Sequence, residues 1–260
     1  MLVTGSWLTV KEQMADRYAQ ALAELGFTAI TFDFAGYGAS GGTPRQTEIP
    51  ERKAAEIAAV ARQVSRLSFI RPGRLSCLAV CASAQYALAA IANGAPVASF
   101  ASVAGWFHDT ATVAPFYGGT DGVTRRLDRA RTALAEYQRG GVPPVVPAYD
   151  SGNDRAGMSI PMDYYASADR GAIPAWTNEM TELSWLTFDG LAAAPRVSVP
   201  ALFVHSADCV LPDNVRAVRD RLAGPSELVW ADGGQTDFYD QPRQVSLAVS
   251  AAADHFRRTL

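Results

Sequence analysis

Short apolar runs alternate with amphipathic stretches along the first part of the chain. The apolar runs are rich in β-branched and aromatic residues, as buried strands are. They lie at residues 1–4, 27–32, 75–80 and 97–103. Between them, apolar residues recur at helical spacing, which is typical of helices that cover a sheet. The alternation predicts a mostly parallel sheet with helices on both faces and right-handed crossovers.

Local signals place the ends of the first predicted helices. Thr9 and Glu12 form a T-x-x-E capping box, so the first helix should begin near Val10. Gly26 should end it, because glycine adopts the left-handed conformation that closes many helices. Pro50 suits the first turn of the second helix.

The pattern changes between residues 110 and 190, where strand–helix alternation stops. One helix is predicted at residues 122–139, and Pro, Gly, Tyr and Trp dominate the rest of this segment. Alternation resumes with strands at 201–205 and 227–230 and helices at 214–222 and 244–258. We therefore expect a core of residues 1–109 and 191–260, interrupted by a helical cap insertion of residues 110–190.

Composition excludes several classes of protein. Hydrophobic residues make up 48% and charged residues 19% of the 260 positions, unlike a disordered chain. The net charge of −3 gives no case for nucleic-acid binding. No apolar run approaches the roughly 18 residues that a membrane span needs. Three cysteines are too few for a disulfide framework, so we expect a cytoplasmic protein.

The sharpest chemical signal lies around Cys81, between a predicted strand and a helix of small residues. A nucleophile elbow places its nucleophile on such a strand-to-helix turn, with small residues two positions before and after it. Ala79 and Ser83 fill those positions. Ser83 fits less well as the nucleophile, because Gln85 would then occupy a small-residue position. The alternative is that Cys81 is an inert buried side chain, as free cysteines often are.

Three further segments match motifs of one family. Residues 4–7 (TGSW) match its His-Gly oxyanion loop, with Thr4 in place of His. Residues 33–40 (DFAGYGAS) match its D-x-R-G-x-G-x-S turn, with Ala35 in place of Arg. Residues 208–212 (DCVLP) look like its acid loop. With the elbow, these motifs resemble the α/β-hydrolase superfamily, and within it the dienelactone-hydrolase-like branch, whose elbow carries a cysteine.

The resemblance covers nearly the whole chain and implies an α/β-hydrolase fold with a helical cap. Met1 stands at what resembles the family's third strand, so the family's N-terminal hairpin is expected to be missing. Cys81 would be the nucleophile and Asp208 the acid, while Gln235 occupies the place of the family's catalytic histidine. The oxyanion hole would be formed by the backbone amides of Ala82 and of Ser6 or Trp7.

Loss of the histidine changes the chemistry, because a carboxamide such as Gln235 does not accept a proton near neutral pH. Cys81 depends less on a base than serine does, since a helix N-terminus can lower a thiol pKa. His108 is the first candidate for a replacement base, with a role in packing the cap as the alternative. His205 is expected to brace its loop, and His255 to be solvated.

Aromatic residues cluster in and beside the predicted cap, which suits an apolar or aromatic ligand, although they could equally hold the cap to the sheet. The candidates for substrate contact are Trp106, Phe107, Tyr117, Tyr165 and Trp185. No cofactor or metal is expected, because the spacing of Cys77 and Cys81 is not a metal motif and the glycines at 36–42 do not open a helix.

Three functions remain open from the sequence. The first is hydrolysis of an ester, lactone or thioester by a cysteine nucleophile with an atypical triad. The second is a non-hydrolytic enzyme on the same scaffold, such as an isomerase, lyase, cyclase or acyl transferase. The third is a catalytically silent binding protein. In each case the expected partner is a small molecule rather than nucleic acid or a membrane, and a homodimer is left open.

Overall fold

A computed structural model describes residues 1–167 and 175–260 of the protein. The strands are β1 (Leu2–Thr4), β2 (Ser76–Val80), β3 (Ser99–Val103), β4 (Val145–Pro147), β5 (Trp176–Asn178), β6 (Ala201–Ser206) and β7 (Ser226–Ala231). Five of them form a parallel sheet in the order β1-β2-β3-β6-β7, which confirms the predicted sheet. β4 and β5 pair in an antiparallel sheet of their own.

Helices lie between the strands and at the end of the chain. They are α1 (Met14–Glu24), α2 (Pro50–Val64), α3 (Ser83–Ala92), α4 (Thr110–Val113), α5 (Gly119–Gln138), α6 (Asp163–Ala166), α7 (Thr181–Trp185), α8 (Pro212–Arg221), α9 (Asp237–Asp240) and α10 (Pro242–Thr259), with short 3-10 helices at Ala114–Tyr117 and Ala194–Arg196.

The direction of the chain reverses beside β1. Ile30 pairs with Leu2 in a parallel bridge, so the chain passes through α1 to one side of β1 and returns through α2 to β2 on the other side. Because such crossovers are right-handed, α1 and α2 lie on opposite faces of the sheet. α10 contacts α1, and α3 contacts α2, which gives one helical layer on each face. Ligands of such sheets bind beyond the carboxyl ends of the strands near a reversal, here those of β1 and β2.

The predicted strand at residues 27–32 is not a buried strand. The segment pairs with β1 through Ile30, whose amide donates to Met1 O at 3.0 Å and whose carbonyl accepts from Val3 N at 2.9 Å. Its side chains are half-buried or exposed, because the segment lies at the sheet edge beside β1.

The predicted capping box is also wrong. α1 begins at Met14, and the Thr9 hydroxyl donates to Ser6 O at 2.9 Å instead of capping a helix. Thr9 therefore belongs to the loop that follows β1. Gly26 does close the first helix as predicted, with φ +87° and its amide bonded to Ala23 O.

The segment from residue 110 to residue 190 lies between β3 and β6. α5 confirms the helix predicted at 122–139, and α4, α6 and α7 are shorter. The β4–β5 pair was not predicted, because three residues per strand are too few to show the alternation of a strand.

Glu48 and Lys53 form an ion pair inside the protein. Lys53 Nζ lies 2.8 Å from Glu48 Oε2, and neither side chain is more than 1% exposed. The carboxylate also accepts hydrogen bonds from the Leu8 amide (3.0 Å) and from the hydroxyls of Tyr37 (3.1 Å) and Tyr86 (2.7 Å). Burial lowers the pKa of Lys53, and Glu48 opposes that shift. With four donors on one carboxylate, the cost of burying the charge is offset.

The same carboxylate positions the loop that follows β1. Leu8 has a φ of +55°, in the left-handed region that branched side chains avoid. The bond from its amide to Glu48 Oε2 stabilises this conformation. Ser6 and Trp7, two of the predicted site residues, immediately precede Leu8, so Glu48 holds their loop at the end of β1.

We expect Glu48→Leu to destabilise the protein more than Lys53→Met. The first change leaves a buried ammonium group and the Leu8 amide without an acceptor, at a cost of about 3–5 kcal/mol. The second leaves the carboxylate with its three other donors and should cost less. Urea denaturation measures both free energies of unfolding. Arg131→Met, which breaks an exposed ion pair with Asp128, is the control and should have little effect. Equal losses from the two buried changes would contradict this account of the carboxylate.

Candidate active site

Cys81 occupies the turn between β2 and α3 in a strained backbone conformation. Its φ is +57°, which for a residue other than glycine costs on the order of 1–3 kcal/mol. Backbone hydrogen bonds hold the turn: Cys81 N donates to Val103 O, and Cys81 O accepts from the amides of Ala84 and Trp106, each at 3.0 Å. The residue is 3% exposed. This is the geometry of a nucleophile elbow.

Ser83 is a structural residue of the elbow. Its hydroxyl accepts from Thr4 Oγ1 at 2.9 Å and lies 3.1 Å from Thr4 O and 3.0 Å from Val80 O. These bonds tie the end of β1 to the start of α3 inside the protein. The hydroxyl is fully engaged, which agrees with the choice of Cys81 over Ser83 as the candidate nucleophile.

Hydrogen-bonding groups surround the Cys81 sulfur. Burial raises the pKa of the Cys81 thiol, while hydrogen bonds from Ser6, Tyr239, the Ala82 amide and Gln235 lower it, and burial prevails. The amide of Ala82 at the start of α3 does lower this pKa, as expected, but by less than burial raises it. At neutral pH Cys81 is a thiol that is already surrounded by donors able to stabilise a thiolate.

Gln235 is fixed beside the sulfur by hydrogen bonds at both ends of its carboxamide. Nε2 donates to Ala104 O at 2.7 Å and to Tyr239 Oη at 3.0 Å, and Oε1 accepts from Val210 N at 3.1 Å. The orientation is unambiguous, because a backbone carbonyl can only accept and a backbone amide can only donate. The amide thus lies against the candidate nucleophile, where the resemblance placed a base.

Tyr239 is a site residue that the sequence analysis missed. Its hydroxyl accepts from Gln235 and interacts with the Cys81 thiol, and its ring is fully buried. Gln235 and Tyr239 are four positions apart at the start of α9, which is the spacing that brings side chains together on a helical turn. Burial holds the pKa of Tyr239 well above its usual value, so the group is a proton donor at neutral pH.

A second pair of hydroxyls completes the surroundings of the sulfur. Ser6 Oγ lies 2.7 Å from Tyr165 Oη, and both groups are buried. Tyr165 interacts in turn with the Tyr239 hydroxyl. Cys81, Ser6, Tyr165 and Tyr239 therefore form one buried cluster of interacting groups, called here the hydroxyl ring.

Asp208 does not orient Gln235. It is exposed, and among the described residues it makes no hydrogen bond or ion pair, while the Gln235 oxygen that it might have bonded accepts from Val210 N instead. Gln235 Oε1 and a carboxylate oxygen of Asp208 are both acceptors and would repel each other, so Asp208 could not form a hydrogen bond with that atom. Asp237 braces its own loop by accepting from Gly234 N at 2.8 Å.

His108 is not the missing base. Its Nδ1 accepts from the Trp106 indole and its Nε2 donates to Trp185 O, both at 2.8 Å, so the neutral imidazole has no free nitrogen. Burial lowers the pKa of His108 to about 4. Its backbone carbonyl accepts from Gly190 N at 2.7 Å, and its amide donates to Gln85 Oε1. His108 thus joins both ends of the 110–190 segment to the core.

The other two histidines of the sequence are buried as well. The ring of His205 packs against Trp230 of β7, and burial lowers its pKa to about 4. His255 was expected to be solvated, which is wrong: it is 1% exposed and hydrogen-bonds to Ser99 (3.0 Å) and Glu227 (3.2 Å). Ser99 and Glu227 lie at the starts of β3 and β7, so His255 is at the edge of the sheet opposite Cys81.

The predicted oxyanion donors have different surroundings. The Ala82 amide points to the Cys81 sulfur, as an elbow amide should. The Ser6 amide donates to Met14 Sδ at 3.1 Å. A thioether is a weak acceptor, so this bond positions the amide without a strong hold on it.

The predicted aromatic contacts separate into three groups. Tyr165 belongs to the hydroxyl ring and packs at 6.5 Å from the Trp7 ring. Trp106 and Trp185 enclose His108, and the Trp185 indole donates to Tyr117 Oη at 2.7 Å. Phe107 lies in the core, 6.2 Å from Phe203 of β6, which overturns its expected contact with substrate. Most of these aromatic residues are thus explained by packing of the 110–190 segment onto the sheet.

The described residues contain no helix both long and apolar enough to cross a membrane. In the same part of the chain, no group of three or more His, Cys, Asp or Glu side chains is placed to hold a metal ion.

No model of a known protein family matches the chain. In sequence it is similar to the uncharacterized protein YcjY of Escherichia coli (strain K12), at 24% identity over 265 residues, which cover 96% of this chain and 85% of YcjY. It is also similar to the uncharacterized protein PA2218 of Pseudomonas aeruginosa, at 28% identity over 257 residues, which cover 93% of this chain and 68% of PA2218.

Solved structures show the same architecture. The crystal structure of PA2218 superposes with a TM-score of 0.84 at 24% identity, over 100% of this chain and 84% of that one. The α/β hydrolase GrgF from Penicillium sp. sh18 superposes with a TM-score of 0.84 at 19% identity, over 99% of this chain and 89% of that one. These likenesses show the fold that the sequence motifs resembled.

We expect alkylation of Cys81 by iodoacetamide to accelerate through neutral pH without a plateau. A raised thiol pKa leaves little thiolate at pH 7, so the rate should rise about tenfold per pH unit up to at least the pKa of an ordinary thiol. Mass spectrometry of peptides follows the reaction, and Cys81→Ser measures the background from Cys77 and Cys209. Burial raises the pKa of Cys209 to about 11, so this background should be slow. A plateau near neutral pH would contradict the raised pKa.

Proposed function

We propose that this chain, which has the α/β-hydrolase fold, is an enzyme whose Cys81 accepts the acyl group of an ester, lactone or thioester. The observation that carries the proposal is the strained elbow at Cys81, with φ +57° and donors around the sulfur. An inert buried cysteine needs neither the strain nor the donors. The Ala82 amide, with the Trp7 or Ser6 amide, would form the oxyanion hole that stabilises the tetrahedral intermediate.

The site offers little help to water as the final acceptor of the acyl group. All three histidines of the sequence are buried, none of them hydrogen-bonds to Cys81 or Gln235 in the described part of the chain, and Gln235 cannot activate water. Loss of general-base help typically costs about 10²–10⁴ in rate, so hydrolysis of the acyl-enzyme should be slow. This favours transfer of the acyl group to a substrate hydroxyl, thiol or amine, or ring closure, as the second candidate function.

The surroundings of Cys81 support an apolar or aromatic acyl group. Trp7 is 1% exposed and packs against Tyr165 at 6.5 Å and Trp185 at 6.4 Å. Burial of the thiol to 3% exposure means that side chains of this aromatic layer must shift to admit substrate. Such a layer binds flat or apolar groups and excludes bulk water from the intermediate.

We expect para-nitrophenyl esters of aromatic acids to give a burst of nitrophenol and a thioester adduct on Cys81. Rapid mixing measures the burst, and intact-protein mass spectrometry measures the adduct. Cys81→Ala should abolish both while the protein remains folded, as judged by circular dichroism. In water enriched with oxygen-18, label in the released acid identifies hydrolysis, and an unlabelled ester or amide product identifies transfer. A binding protein without chemistry would give no adduct with any ester tested.

We expect Gln235→His to accelerate breakdown of the acyl-enzyme by water. The imidazole would lie against the sulfur and could take a proton from water, a gain on the order of 10² in rate. The gain should appear as the pH rises through about 6.5, where an unperturbed histidine loses its proton. Steady-state turnover against pH measures it. Gln235→Asn is the control, because it keeps an amide and adds no base. Equal rates for the two variants would mean that position 235 does not reach the reacting groups.

A further inference from the structure

The proposed acylation requires a group that moves protons to and from the reacting atoms. When the thiol attacks, its proton must leave the sulfur, and an alkoxide or thiolate leaving group must gain one. The groups that interact with the thiol are two hydroxyls and two amides, from Ser6, Tyr239, Ala82 and Gln235. Amides do not exchange protons on this time scale as acids or bases, so the hydroxyls are the carriers that the site offers.

We infer that Tyr239 is a catalytic residue that carries protons between Cys81 and the leaving group or acceptor. The inference rests on the proposed function of Cys81. Tyr239 contacts the sulfur, its ring is fully buried, and its oxygen accepts a hydrogen bond of 3.0 Å from Gln235 Nε2. Because the oxygen already accepts from Gln235, the hydroxyl proton is directed away from the amide and can be given to the sulfur or to a leaving atom.

The two hydroxyls on the sulfur are not equivalent. Ser6 is followed in the hydroxyl ring by the hydroxyl of Tyr165, which lies 2.7 Å away. Tyr239 is backed by Gln235, whose Nε2 is anchored on Ala104 O (2.7 Å) and whose Oε1 is anchored by Val210 N (3.1 Å). A fixed donor stabilises negative charge as it develops on the tyrosine oxygen, so Tyr239 is the better carrier.

The proton transfers balance without a charged tyrosine. In acylation, a bond forms between Cys81 Sγ and the acyl carbon while the bond from that carbon to the leaving oxygen or sulfur breaks. The thiol proton passes to Tyr239 Oη as the proton of Tyr239 passes to the leaving atom. In the second step the acceptor attacks the thioester, its proton passes to Tyr239, and the proton of Tyr239 returns to the departing sulfur. Tyr239 is neutral before and after each step.

The test is the dependence of acylation on the leaving group in Tyr239→Phe. Para-nitrophenolate leaves without a proton, whereas an alkoxide needs one. The variant lacks the acceptor of the thiol proton with both ester classes, but it lacks a needed donor to the leaving atom only with the alkyl esters. Its acylation rate should therefore fall about 10²-fold or more further with alkyl esters than with para-nitrophenyl esters of the same acid. Rapid-quench mass spectrometry of the Cys81 adduct measures both rates. A purely structural role would slow both ester classes equally, and that result would overturn the inference.

Two further variants make the result decisive. Tyr37→Phe removes another buried tyrosine hydroxyl, one that bonds to Glu48, and should show no dependence on the leaving group. Tyr165→Phe removes one hydroxyl of the hydroxyl ring but leaves Tyr239 beside the sulfur, so its selective loss with alkyl esters should be smaller than that of Tyr239→Phe. A larger selective loss in Tyr165→Phe would mean that the proton leaves through Ser6 and Tyr165, and it would overturn the role of Tyr239.

If Tyr239→Phe does not fold, Gln235→Met, which removes the donor to Tyr239, must show the same selective loss in weaker form. Absence of any adduct in the wild-type protein would refute the proposed function itself.

Discussion

The carboxamide of Gln235 is held by three backbone or side-chain partners, and none of them can change its protonation. Its oxygen accepts from Val210 N, and its nitrogen donates to Ala104 O and Tyr239 Oη. A histidine in this place would supply a proton acceptor at neutral pH, whereas the amide supplies only hydrogen bonds of fixed direction. The proposed chemistry therefore needs a nucleophile that tolerates the absence of a base, and a thiol meets that requirement better than a hydroxyl.

The opposite wall of the site depends on a different buried group. Glu48 holds the Leu8 amide, and the loop before it brings Ser6 to the sulfur. The carboxylate is charged, yet it lies in the interior because four donors and the rings around Lys53 compensate it. One wall of the site is thus fixed by a neutral amide and the other by an ion pair. Neither depends on a group that titrates within the site itself.

The sequence predicted the parts of the site that small residues and backbone geometry determine. Ala79 and Ser83 mark a turn where the chains must approach closely, and the structure has the elbow there. The misassigned residues failed for another reason: Asp208 and His108 lie in the loops that follow β6 and β3, and the sequence does not give the direction of their side chains. His108 turns to the indole of Trp106, and Asp208 to solvent.

Tyr239 and Glu48 were missed because their roles come from contacts between distant segments. Glu48 meets Leu8 and Tyr86 across the fold, and no spacing in the sequence indicates this. Tyr239 could have been suspected from its four-residue separation from Gln235, had the short α9 been foreseen. The edge segment around Ile30 shows the same limit, since its apolar pattern alone does not reveal how many neighbours a strand has.

The left-handed backbone at Cys81 affects which residues selection for stability would favour at this position. A chain under selection for stability alone would favour glycine at φ +57°, because glycine adopts this conformation without steric cost. The side chain at this position therefore makes the fold less stable than an otherwise identical one without it. Under the proposed function, stability is given up at this residue in favour of activity, as it is at other strained functional residues. Stability alone therefore favours the loss of this side chain, and under the proposed function only the use of its sulfur keeps it at the bend.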